Sequence, residues 1–176
     1  MTQLVYSKTE LLESHPYVKP HVEAGYTLHG GFTADGAYVS PRTLKRWPAV
    51  TAWAEALKAK GHDQIYCGEK LLTTPTYPSR EQQKLLLRHG LGQTFWNSLT
   101  TTGVIEARGG ALCNIPVPDF QALVVEDISH MLVGHLHKGL LWAHGADEAG
   151  DPAHKELGAH DRMWFAARDL VFGVAA

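Results

Sequence analysis

Apolar and polar positions along this chain fall into helix-length patterns punctuated by proline and glycine. The longest runs from Asp119 to His144, DFQALVVEDISHMLVGHLHKGLLWAH. Pro116 and Pro118 precede it, Asp119 suits a cap, and Gly145 suits the position just past its end. A helix over this stretch is about 39 Å long at about 1.5 Å per residue. At about 100° per residue, Glu126, His130, His137 and His144 share one stripe. Val124, Ile128, Met131, Leu132, Leu136 and Trp142 spread over the other side, with His135 among them.

A second long helix is predicted from Ser79, with Gln82 in the capping-box position, through to Arg108. Gly90 and Gly92 are its weak points. The connector between the two is short, so they are expected to pack antiparallel. That register sets His89 opposite Leu136, between His135 and His137, and leaves Glu106 near the connector. Shorter helices are predicted after Ser7, from Pro48 to Lys60, and from Ala159 to Phe172.

One stretch has a different texture. In YTLHGGFTADGAYVSPR, Asp35-Gly36 is flanked by Phe32-Thr33 and Tyr38-Val39, a hairpin signal. Gly30-Gly31 lets the chain pass tightly against a neighbour, beside His29. Pro16 and Pro20 break the chain before it, and His15 and His21 read there as surface loop residues. Residues 62–78 read as a linker, and Asp147, Glu148 and Asp151 as a solvated acidic loop. The expected fold is mainly α: a helix bundle with long antiparallel helices and a small N-terminal β-hairpin region. It forms a single domain over 1–176. Residues 1–78 give the hairpin-plus-helix region, and residues 79–176 give the helical core.

Composition narrows the function classes. A net charge of −2 offers no basic surface to a nucleic acid. No run of 18 apolar residues predicts a membrane span, and the acidic N-terminus is not a secretory signal. Cys67 and Cys113 lack a CxxC pattern, so reduced thiols and a cytoplasmic location are expected. GxSxG, HExxH, GxGxxG and CxxCH patterns are all missing. The unusual feature is eleven histidines, which fits metal binding or a pH-responsive surface.

Candidate chemistry follows from the stripe. Glu126 and His130 stand at i and i+4, about 6 Å apart along the axis, and can share an ion. His137 lies about 10.5 Å beyond His130 and joins only with help from another helix. The same stripe, with Asp127 and Lys138, also reads as a solvated face, because it opposes the apolar side. His135 is either a core histidine bonded to backbone or an acid/base group.

Asp127-Ile128-Ser129-His130 is a DxxH, and Glu126 gives an ExxxH alternative. Long antiparallel helices with inward Glu and His resemble the ferritin-like non-haem di-iron bundles, over Ser79 to Phe172 at most. Members carry Glu on two helices and ExxH on two others. A second ExxH is missing here, so a partner chain would have to complete a two-metal site. The resemblance implies iron or manganese and oxygen-dependent oxidation. Glu126 and His130 are then ligands, with His137 beside them on the stripe. Glu106 is a bridging carboxylate, and His135 or His89 supplies a further nitrogen or acid/base group.

The expected function is a metal-dependent (Fe or Mn) oxidoreductase of the ferritin-like kind, acting on a small molecule the sequence does not specify. The alternatives are a non-enzymatic helical ligand-binding or assembly domain, and a metal-free enzyme using His135 or His89. An apolar helix so near the end of the sequence raises the expectation of a homo-oligomer or of a longer protein.

Overall fold

The computed structural model describes residues 8–62 and 79–173. In chain order come α1 (Lys8–Leu12), β1 (Lys19–Glu23), β2 (Tyr26–Phe32), β3 (Tyr38–Val39) and α2 (Thr43–Ala59). Then follow α3 (Arg80–Arg88), α4 (Gly92–Arg108), α5 (Leu140–Ala149) and α6 (His160–Phe172). The protein is mainly helical, with a small antiparallel sheet ordered β1-β2-β3 near its N-terminus. No helix among the described residues is long and apolar enough to cross a membrane. The Ser7 cap and the 63–78 linker fall outside the described residues.

The hairpin forms where the turn residues place it. Phe32 pairs with Tyr38 and Gly31 with Val39, around a turn in which Gly36 takes a φ of 82°. Gly30 and Gly31 do pass tightly: a Cβ on Gly30 would lie 2.6 Å from the Val39 carbonyl oxygen, and one on Gly31 2.6 Å from the Tyr17 ring. Strand β1 is an addition to the expectation. Pro20 interrupts a helix but is tolerated on an edge strand, and here it pairs with Gly31 beside a bulge. His15 is buried rather than a surface residue, and its Nε2 lies 2.9 Å from the Ser40 carbonyl oxygen.

The long antiparallel pair is not what the chain builds. The Ser79 capping box is present, but the helix it opens ends at Arg88. Gly90 adopts a φ of 72°, and α4 starts afresh at Gly92. The Asp119–His144 stretch is not one helix either. It holds 3-10 turns at Phe120–Leu123 and Leu132–Lys138, and α5 begins only at Leu140.

The reason is local competition for backbone hydrogen bonds. The Gln121 side chain donates to the Glu126 carbonyl at 2.9 Å and accepts from the Ile128 N–H at 2.9 Å. The Asp127 carboxylate accepts from the Ser129 N–H at 2.9 Å. Polar side chains thus occupy groups that a helix ladder needs. Gly139, with a φ of 118°, separates the second 3-10 turn from α5. In place of the expected pair, α4 packs on α6. Gly103 meets Phe165, Thr100 meets Arg168 and Gly92 meets Phe172, an antiparallel register.

The core is small. Leu28, Ala143, Ala146, Leu157, Ala159 and Ala166 are buried where β2, α5 and the start of α6 meet. Helix α2 buries no residue, and Leu44, Trp47 and Val50 on it are exposed.

Candidate metal centre

Two sets of close backbone contacts assemble a polar group at one end of the α4/α6 pair. The first involves α5. A Cβ on Gly145 would lie 2.8 Å from both Cys113 Sγ and the Gly109 carbonyl oxygen. One on Gly109 would lie 2.5 Å from Glu148 Cβ. These glycines let α5 lie directly on the chain just past the end of α4. Glu106 stands one turn before Gly109, and Glu148 one turn after Gly145, so the two carboxylates converge.

The second contact joins α6 to the sheet. Leu28 of β2 makes a parallel bridge with Ala159. Gly158 takes a φ of 66°, and a Cβ there would collide with the Leu28 carbonyl. The residues that follow the bridge, His29 and His160, are thereby set ring against ring, with centroids 4.5 Å apart and planes at 83°.

The outcome is a three-helix donor set. Ligand atoms of Glu106 (α4), Glu148 (α5) and His160 (α6) all lie within 4.8 Å of one another. His160 Nδ1 is 3.4 Å from Glu148 Oε1 and 4.0 Å from Glu106 Oε2. His144 Nδ1, one turn earlier on α5, is also 3.4 Å from Glu148 Oε1. All three of the grouped residues are half-buried. Asp161 sits beside them, 3% exposed, and its Oδ1 has no hydrogen-bond partner. Burial pushes its carboxyl above the usual range against the opposing charge of Arg162, whose Nε lies 3.4 Å from Oδ2, and the nearby Glu106 charge adds to the upward shift.

Behind His160 lies a buried charge cluster. His29 is 4% exposed, with Nδ1 3.4 Å from the Gly158 carbonyl oxygen and Nε2 3.5 Å from Asp147 Oδ1. Burial pulls its pKa down to about 4, against the opposing charge of Asp147. Asp147 is held in turn by Arg42 and by Arg46, whose Nη1 lies 2.7 Å from Oδ2. These arginines also donate to the Leu12 and Leu11 carbonyls, so α1, α2 and α5 are tied at this point.

Of the residues singled out from sequence, Glu106 lies in the group. Glu126 does not share a helical face with His130, His137 and His144, because the helix that would align them does not form. Glu126 is exposed in a bend. His130 stacks on His62, with centroids 4.6 Å apart. His137 Nδ1 lies 3.7 Å from Asp119 Oδ1. His89 caps the end of α3 and is exposed. His135 is 1% exposed, and its Nε2 lies 2.9 Å from the Ser129 carbonyl oxygen. The expected meeting of His89 with His135 or His137 belonged to the long antiparallel pair.

Sequence reading missed Glu148 and His160 as partners of Glu106. A signal was present: His144 and Glu148 are i and i+4 once the helix is allowed to run through Gly145. Comparison with protein-family models, curated proteins and solved structures found no match.

Proposed function

We propose that this protein is a metal-dependent oxidoreductase, of the ferritin-like kind, that uses iron or manganese held by Glu106, Glu148 and His160. The observation that carries the reading is the convergence of these three donors from three helices. Donors about 2.1 Å from a common ion stand about 3.0–3.5 Å apart. The 3.4 and 4.0 Å separations from His160 approach that spacing, and with all three donors within 4.8 Å of one another, side-chain rotation would have to close the rest. Carboxylate oxygens with imidazole nitrogen suit first-row metals such as manganese and iron. A cation also offsets the repulsion between Glu106 and the buried Asp161.

Bound iron or manganese supplies one-electron redox chemistry with oxygen. The chain's own residues hold and orient it, and the half-exposed His160 and His144 leave the group open on one side to a small molecule. A second ion of the di-iron type would need further ligands, which a second copy of the chain would have to supply.

Tag-free protein loaded anaerobically with Fe(II) tests this. Stoichiometric iron and oxygen uptake, both lost in Glu148→Ala, are expected. No retained iron or manganese after reconstitution contradicts the reading. Retained metal without oxygen uptake supports the non-enzymatic alternative. That alternative has one feature in its favour, a cavity of ≈ 370 Å³ lined by Leu11, Val50, Trp53, Leu132 and Leu140 together with Glu10, Glu13, Lys45 and Arg46, with His135 on its wall.

A further inference from the structure

His160 is an exposed-side ligand on the first turn of a helix, with its side chain 38% accessible. Left to itself, an imidazole in that place samples several rotamers, and ordering it on binding costs affinity. One side of the ring is blocked. His29 stands across it at 4.5 Å, ring planes near perpendicular, and is itself 4% exposed.

The position of His29 is over-determined. Its backbone lies in the strand that Leu28 bridges to Ala159. Gly30 and Gly31 after it pack against Val39, Tyr38 and Tyr17, and Tyr38 Oη donates to its carbonyl at 3.0 Å. Its ring nitrogens face the Gly158 carbonyl and the Asp147 carboxylate, which Arg42 and Arg46 fix from the far side.

We infer that His29 is a positioning residue: its ring is a fixed wall that holds His160 in the rotamer aimed at Glu106 and Glu148. The inference rests on the metal reading above. It gives the small sheet a task in a helical protein, that of carrying a rigid ring to the back of a ligand. His29 makes no contact with the ion in this account and acts only through His160. Groups hydrogen-bonded to a metal ligand are worth about 10–100-fold in metal affinity, and a ring contact without that bond is placed at the lower end.

The test is Co²⁺ titration followed by visible absorption, which reports both affinity and coordination geometry. Wild type, His29→Ala, His29→Phe and His15→Ala are compared. His15 is a control, buried to a similar degree at 5% and hydrogen-bonded to the Ser40 carbonyl, outside the donor group. His29→Ala is expected to weaken Co²⁺ binding about tenfold and to alter the absorption bands. His29→Phe, which keeps a ring wall, is expected to restore most of the affinity and the wild-type bands. His15→Ala is expected to leave both unchanged.

If wild type binds Co²⁺ and His29→Ala binds it equally well with the same bands, the positioning role is overturned and the metal centre survives. Equal losses in His15→Ala and His29→Ala also overturn it, since the effect is then one of general stability. Should His29→Ala fail to fold, His29→Phe decides: bands and affinity unlike wild type overturn the ring-wall account. No Co²⁺ binding by wild type overturns the centre and the inference together.

Discussion

A histidine that folding removes from water records its burial in the pH dependence of stability. In the metal-free chain His29 is nearly inaccessible, and its pKa falls to about 4. The unfolded chain, near the ordinary value of about 6.5, binds a proton in that window that the folded chain does not. Stability is therefore intact above about pH 6.5 and falls as the pH drops toward about 4. The contribution is on the order of 3 kcal/mol at about 1.36 kcal/mol per unit. Urea unfolding of metal-free wild type and His29→Phe at about pH 7 and about pH 4.5 checks it. The wild type should lose more stability between the two conditions. Equal losses mean that His29 does not carry the effect. Glu106 was identified from sequence as a candidate ligand; its partners were not. Glu148 reads as part of a solvated loop only because Gly145 is taken as a helix stop. In the structure Gly145 lies inside α5, at a close approach to Cys113 and Gly109.

At the scale of elements, two glycines of positive φ differ in what surrounds them. Gly36 has a φ of 82° and nothing within 4 Å of a would-be Cβ. Gly158 has a φ of 66°, and its would-be Cβ runs into the Leu28 and Thr27 carbonyls. Gly36→Ala should cost about 1 kcal/mol, the backbone penalty alone. Gly158→Ala should cost more than about 2 kcal/mol, because the bridge that seats α6 on the sheet must open. Urea denaturation measures both, and equal costs would mean the bridge is not a structural tie.

The hairpin, the Ser79 capping box and helix α6 were legible because each is set by residues within a few positions. The Asp119–His144 stretch was not. Its apolar spacing fits a helix, but Gln121 and Asp127 bind backbone groups within the same stretch, and periodicity carries no sign of that.

At the scale of the whole molecule, the donor set draws on three helices that are distant in sequence. Only the tertiary register of α4 on α6, with α5 across their end, brings Glu106, Glu148 and His160 together. That register depends on small residues at contact points, such as Gly103 beneath the Phe165 ring. A pattern read one helix at a time does not encode it. A centre that spans three helices links metal binding to global stability. A metal present at about 100 times its dissociation constant should stabilise the fold by about 2.7 kcal/mol. For a chain of this length that raises the midpoint by about 5–10 °C. Thermal scans with and without Mn²⁺ measure it, and Glu106→Ala should leave little of the shift. An equal shift in Glu106→Ala places the ion elsewhere.

The central claim, that Glu106, Glu148 and His160 form a metal centre, is tested most directly by calorimetric titration of Mn²⁺ into metal-free protein. Wild type, Glu106→Ala, Glu148→Ala and Glu126→Ala are compared. The account predicts stoichiometric binding by wild type and an equal isotherm for Glu126→Ala. It predicts affinity lower by about 100-fold or more for Glu106→Ala and Glu148→Ala, since removing a ligand costs at least as much as removing a group that orients one. Binding that survives Glu148→Ala but is lost in Glu126→Ala, or no binding by wild type, would contradict it.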